Sequence, residues 1–187
     1  MKSYKYLIIL LAAALMLSAC SSGAETLSGP VAQVVPGGPA EKDEPAQEMQ
    51  RVGEENYGFW DIPSSWQPFT ELDAHPDDIM IQYSDPTGSQ IITVRYFEDF
   101  GSSPEEVLNS QGAYMESLGG EGIQGARVSL NGIEAIQIYG FFPEETAMVT
   151  WAFESGENLL HVIIAEGPIP EIFDTVGYLE KSYAILE

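Results

Sequence analysis

The stretch RVSLNGIEAIQIYGF, Arg127 to Phe141, sets Asn131-Gly132 between two segments of alternating apolar residues. A two-residue hairpin turn needs positive φ at both central positions, and Asn-Gly supplies it, so the flanking segments are committed to adjacent antiparallel strands. TAMVTWAFE alternates again, with Ala147, Val149, Trp151 and Phe153 on one face, and SGEN turns the chain into the apolar LLHVIIAEG. A meander of strands is therefore predicted, whose apolar faces must be covered by other elements.

Those elements are legible upstream and downstream. YGFWDIPSSW reads as a first strand ending at Pro63, IMIQYSDP as a second, and SQIITVRYFED as a third, with Thr87-Gly88 turning between the last two. The period then changes. SSPEEVLNSQGAYMESLGG has Ser103 as N-cap, Pro104 at the first helical position and Glu106 three residues after the cap, a capping box. Val107, Leu108, Gln111, Met115 and Leu118 follow one helical face, Gly119 ends it, and Gly112 weakens it. Pro168 and Pro170 open a second helix with Ile172, Phe173, Val176, Leu179 and Tyr183 as its apolar stripe. The order of strands, helix, strands, helix implies an α+β domain of about 130 residues, an antiparallel β-sheet with two helices packed on it. A domain of that size buries an adequate core without disulfides.

The opening NYGFWDIPSSW, the SPEEV helix start, VSLNGIEA and the final amphipathic helix resemble the PsbP-like lipoproteins. That group shares its fold with the photosystem II extrinsic protein PsbP, the bacterial DcrB-like lipoproteins and a eukaryotic Ran-binding import factor. The resemblance covers roughly Asn56 to Leu186. It implies a PsbP-like α/β sandwich and a non-enzymatic binding or assembly role, with no catalytic motif to carry over.

The first residues carry a different kind of information. Lys2 and Lys5 precede an apolar run from Leu7 to Leu17, too short for the ~20 helical residues that span a bilayer. Leu17-Ser18-Ala19-Cys20 follows, and it resembles the lipobox of bacterial lipoproteins, in which the cysteine is lipidated and the signal is cut before it. Cys20 is the only cysteine of the 187 residues, so no intrachain disulfide forms. Two or more acyl chains hold a protein stably on a membrane where one does so only marginally. The expected organisation is a lipoprotein signal peptide at 1–19, a flexible acidic Pro/Gly tether at 20–55 and the PsbP-like domain at 56–187. The expected location is the extracytoplasmic side of the cell membrane, held by the lipid anchor at Cys20. A tether of ~35 residues has a root-mean-square span of roughly 30 Å.

Charge excludes several partners. Cutting before Cys20 leaves five of the seven basic residues against 29 acids, a net charge near −24. Nucleic acid is excluded, because phosphate contacts need Lys and Arg. Anionic surfaces are disfavoured, while cationic partners and weak, diffuse association of divalent cations are expected.

Chemistry-bearing motifs are sparse. There is no G-x-S-x-G elbow, phosphate loop or H-E-x-x-H, and no cofactor is implied. His161, on the strand face of Leu159 and Ile163, reads as a half-buried or surface sheet histidine. ELDAHPDD gathers Asp73, His75, Asp77 and Asp78 in one loop. These could ligate a divalent ion, but their spacing matches no calcium loop, and a solvated acidic turn is the expected reading. Glu98-Asp99 and Glu144-Glu145 are turn acids by the same reasoning. Trp60 and Trp66 could form an exposed partner or sugar platform, but their strand-end placement favours the core. The function so implied is a non-enzymatic binding or accessory module that engages an envelope protein. The alternative is an extracytoplasmic hydrolase using paired carboxylates.

Overall fold

The computed structural model describes residues 47–69, 80–98, 101–156 and 159–185. In chain order the elements are β1 (Met49–Glu54), β2 (Gly58–Pro63), β3 (Gln67–Pro68), β4 (Met80–Ser84) and β5 (Ile91–Glu98). They are followed by α1 (Pro104–Ser117), β6 (Glu121–Leu130), β7 (Ile133–Phe142), β8 (Thr146–Ser155), β9 (Leu159–Pro168) and α2 (Ile169–Ser182). Seven strands form one antiparallel sheet in the order β3-β4-β5-β9-β8-β7-β6, and β1 and β2 pair separately. Helix α1 thus carries the chain from the middle of the sheet to its far edge, and the meander brings it back until β9 pairs with β5. The fold is α+β, two helices on an antiparallel sheet, as the element order predicts.

The hairpin turn forms where Asn-Gly requires it. Asn131 and Gly132 have φ of 47° and 91°, and Leu130 pairs with Ile133 across them. The turn also serves the end of α2, whose last carbonyls have no partner within the helix. Asn131 N–H donates to the Glu180 carbonyl at 2.8 Å, and Asn131 Nδ2 donates to the Tyr183 carbonyl at 3.1 Å. One dipeptide therefore sets the strand register and caps a distant helix.

Strands β8 and β9 are buried on both faces, which creates two cores. On one face Leu108 of α1 packs with Ala152, Leu160 and Val162. The capping box is present: Ser103 Oγ accepts from Glu106 N–H at 3.3 Å, and the Glu106 carboxylate accepts from Ser103 N–H at 2.9 Å. Gly112 lies buried, and a Cβ there would meet Ile138 Cδ1 at 3.0 Å, so the glycine lets α1 approach β7 closely. Gln111 belongs to this face because its Nε2 reaches Met148 Sδ at 3.1 Å. Leu118 does not, being 50% exposed at the helix end.

The opposite face is covered by α2 and β2, with Trp60, Ile62, Trp151, Phe153, Ile172 and Leu179 in one cluster. Tyr183 ties this layer together. Its ring stacks on Trp60 at 6.1 Å and meets Phe153 edge-on at 5.8 Å, and its hydroxyl donates to the Tyr57 carbonyl at 2.6 Å. Burial holds that phenol well above its usual pKa, so it remains a donor. Just beyond it, Ala184 exchanges two 2.8 Å backbone hydrogen bonds with Phe59, adding the chain end to β2.

Two expectations change. Strand β1 falls inside the segment 20–55 assigned to the tether: Val52 pairs with Trp60, and Arg51 bridges to Asp61 at 3.0 Å, so folded structure begins before residue 56. In α2 the buried residues are Ile172, Thr175 and Leu179, while Phe173 is 62% exposed. Adjacent helical residues lie about 100° apart, and with Ile172 centred on the sheet Phe173 falls at the margin of the buried stripe.

The Tyr183 junction yields a stability prediction. Gly58 has φ of 80°, and a Cβ on it would meet Tyr183 Oη at 2.6 Å and the Ala184 carbonyl oxygen at 2.9 Å. Gly88 has a similar φ of 72° with nothing within 4 Å. Gly88→Ala should cost only the left-handed backbone penalty, about 1 kcal/mol, whereas Gly58→Ala adds overpacking and should cost about 3 kcal/mol. Urea unfolding of both variants checks this; equal losses would contradict it.

Candidate functional site

Cys20 and the loop acids Asp73, Asp77 and Asp78 with His75 lie outside the described residues. Among the described residues no three His, Cys, Asp or Glu gather closely enough to hold a metal ion. Trp60 is fully buried and Trp66 is 5% exposed, which corrects their candidacy as a partner platform. Trp60 is held between Tyr183 and the edge of Tyr83, so its ring is part of the core. No helix among the described residues is long and apolar enough to cross a membrane.

His161 is fully buried, correcting the half-buried or surface expectation. Its strand alternation was read correctly, but the face it shares with Ile163 lies under α2 and β2. The imidazole stacks on its cross-strand neighbour Phe153, with centroids 5.0 Å apart and planes 3° apart. Ser155 Oγ lies 2.7 Å from Nε2, a contact between a hydroxyl and a base. Nucleophilic catalysis would further need a group orienting the ring and access for substrate. Nδ1 has no hydrogen-bond partner among the described residues, and the sealed ring leaves a substrate no approach to Nε2. The pair is a packing contact that holds the imidazole neutral, with burial lowering its pKa to about 4.

Among the described residues, two surface depressions stand out. A groove of about 790 Å³ runs beside the start of α1, with Glu105, Glu134 and Glu154 along it. Glu105 is engaged by Arg127 at 2.7 Å. The second is a cleft of about 250 Å³ between α2 and the β7–β8 face. Ile172, Phe173 and Val176 form its helix wall, and Tyr139, Phe141, Ala147 and Val149 its floor. Alternation along β7 puts Gln137, Tyr139 and Phe141 on this face, and the helical turn from Ile172 to Val176 supplies the wall. Tyr139 and Phe141 meet edge to face at 5.7 Å, which fixes both rings. Gln124 accepts from the Tyr139 hydroxyl at 3.1 Å, and Gln137 Nε2 donates to Glu180 at 3.1 Å. Two exposed aromatic rings line this cleft, Phe173 at 62% and Phe141 at 36%.

Apolar concavity with a few polar groups at its margin is the usual form of a binding site. Neither Phe141 nor Phe173 stands out in the sequence. Phe141 continues a strand alternation, and Phe173 sits in an apolar stripe.

No protein-family model and no curated protein matches the sequence. Solved structures do. The solution structure of cyanobacterial PsbP (CyanoP) from Synechocystis sp. PCC 6803 matches with a TM-score of 0.54 at 12% identity, over 80% of this chain and 98% of that one. LpqN of Mycobacterium tuberculosis, a protein involved in cell envelope biogenesis, matches more loosely, with a TM-score of 0.44 at 16% identity over 76% and 92% of the two chains. The domain has the PsbP-like fold.

His161 makes stability depend on pH in a definite direction. Its folded pKa is about 4 against 6.5 for an exposed histidine. Between those values the unfolded chain takes up a proton that the folded chain excludes, so this group lowers stability as pH falls from 6.5 toward 4, by at most about 1.4 kcal/mol per pH unit. Below about pH 4 both states are protonated and its contribution to the slope ends. His161→Gln should flatten the unfolding free energy across that window relative to wild type, measured by urea unfolding at stepped pH. An unchanged slope in the variant would contradict the assignment.

Proposed function

We propose that this chain is a lipoprotein anchored through Cys20 on the extracytoplasmic face of a membrane, and that its PsbP-like domain is a non-enzymatic binding or accessory module of the cell envelope. The observation that carries this reading is the cleft between α2 and β7, a partly open apolar surface with Phe141 and Phe173 exposed on a rigid scaffold. Aromatic rings bring large apolar area with few rotatable bonds, which suits them to anchor a partner. The apolar run ending in LSAC supports the anchor, and the tether supplies reach from the membrane surface. Engagement of an envelope protein follows from the location. Weak divalent association follows from the net charge of −22 and needs no dedicated site. For the hydrolase alternative, the acids would be those of the groove beside α1, where Glu105 is already neutralised by Arg127.

A photo-crosslinking amino acid placed at Phe173 of the full chain in cells tests the reading. Irradiation should join the chain to an envelope protein, while the same residue at Leu118, exposed on another part of the domain, should not. With Cys20→Ala, labelling by a fatty-acid analogue should disappear and the adduct should fall sharply. Equal adducts from both positions would count against the cleft, and undiminished labelling of the cysteine variant would count against the anchor.

A further inference from the structure

The cleft also says what kind of partner it takes. We propose that it receives a basic protein segment that inserts one large apolar side chain. This rests on the reading of the domain as a binding module and names its partner's chemistry.

Size is the first consideration. Sites that enclose a whole small-molecule ligand run from roughly 300 to 1,000 Å³. At about 250 Å³ this cleft falls below that range and suits a single anchoring side chain. Its walls are aromatic and aliphatic, and Gln137 Nε2 and the Tyr139 hydroxyl are already paired, so the matching anchor is apolar.

The surroundings set the partner's charge. No Lys or Arg lines the cleft. Glu171 and Asp174, both exposed, flank Ile172 and Phe173 on α2. Glu121 lies directly across from Phe141 in the β6–β7 ladder, and exposed Glu144 and Glu145 follow Phe142 in the next turn. The whole chain carries −22. An apolar floor with no lining base, with Glu121 across from Phe141 and a strongly negative chain around it, selects an apolar anchor flanked by Lys or Arg, and the long-range field speeds its encounter.

The same charge disfavours other occupants. A second copy would bring an equally negative chain against this one. Anionic headgroups would be repelled. The chain's own segment before Gln47 offers Val31, Val34 and Val35, but from Ser21 onward Lys42 is its one base beside Glu25, Glu41, Asp43 and Glu44.

Selection of short random peptides displayed on phage against the immobilised full chain tests the inference, followed by fluorescence anisotropy of the enriched peptides. The expected peptides carry Phe, Leu, Met or Trp with Lys or Arg on both sides. Phe173→Ser should weaken them at least tenfold, as loss of a central anchor contact does, without changing the melting midpoint. Glu121→Gln combined with Glu144→Gln should weaken them several-fold and flatten their salt dependence. The inference is overturned if enriched peptides are neutral or acidic, if none is enriched, or if Phe173→Ser leaves affinity unchanged. It is equally overturned if zwitterionic phosphatidylcholine vesicles displace the peptides, or if the chain forms a dimer that Phe173→Ser breaks. A cellular adduct at Phe173 whose partner contacts it through a segment without basic residues would defeat this inference and leave the binding reading standing.

Discussion

Strands β8 and β9 are apolar on both faces, and the rest of the domain follows from that constraint. Met148, Ala152, Leu160 and Val162 are buried on the side of α1, while Val149, Trp151, Phe153 and Ile163 are buried on the side of α2. Sheets buried on both faces need a layer on each. One helix covers one face, and the other face takes the second helix together with the separate β1–β2 ladder. The covering layer is fastened at one end by Tyr183, through Trp60, Phe153 and the Tyr57 carbonyl, and by the Asn131 turn against the last turn of α2. All of these contacts lie toward the C-terminal end of α2.

The cleft is the counterpart of that arrangement. Covering is completed by β2 near Tyr183, but toward the start of α2 nothing among the described residues overlies Phe173 or the Phe141 end of β7. Apolar surface is left concave and partly open between two well-packed elements. Such a patch is unfavourable in water unless a partner covers it, and a rigid surround keeps its shape for that partner. Dense burial elsewhere and partial exposure here are two results of the same layering.

Much of the scaffold was legible because its signals are local. The capping box needs only Ser103, Pro104 and Glu106, and the hairpin needs only Asn131-Gly132 between alternating residues. What could not be read depended on distant partners. Strand β1 is a polar ribbon, MQRVGE, that becomes a strand because β2 pairs with it, and its alternation is too weak to separate it from the tether. His161 was placed on the right face, but its burial is set by α2 and β2 closing over that face. Phe173 looked like core because helical periodicity defines a stripe without its width. The cleft combines a strand and a helix some thirty residues apart in the chain, and no local pattern announces such a pairing.

The sheet's cover is incomplete between α2 and β7, and the proposed binding surface lies there. Nuclear magnetic resonance shift mapping tests it most directly, with the full chain titrated by the contact segment of a captured partner. The account predicts shifts concentrated at Tyr139, Phe141, Ile172, Phe173 and Val176, with the Trp60–Tyr183 junction unchanged. Shifts concentrated instead at Ser103, Glu134 and Glu154, in the groove beside α1, would contradict it.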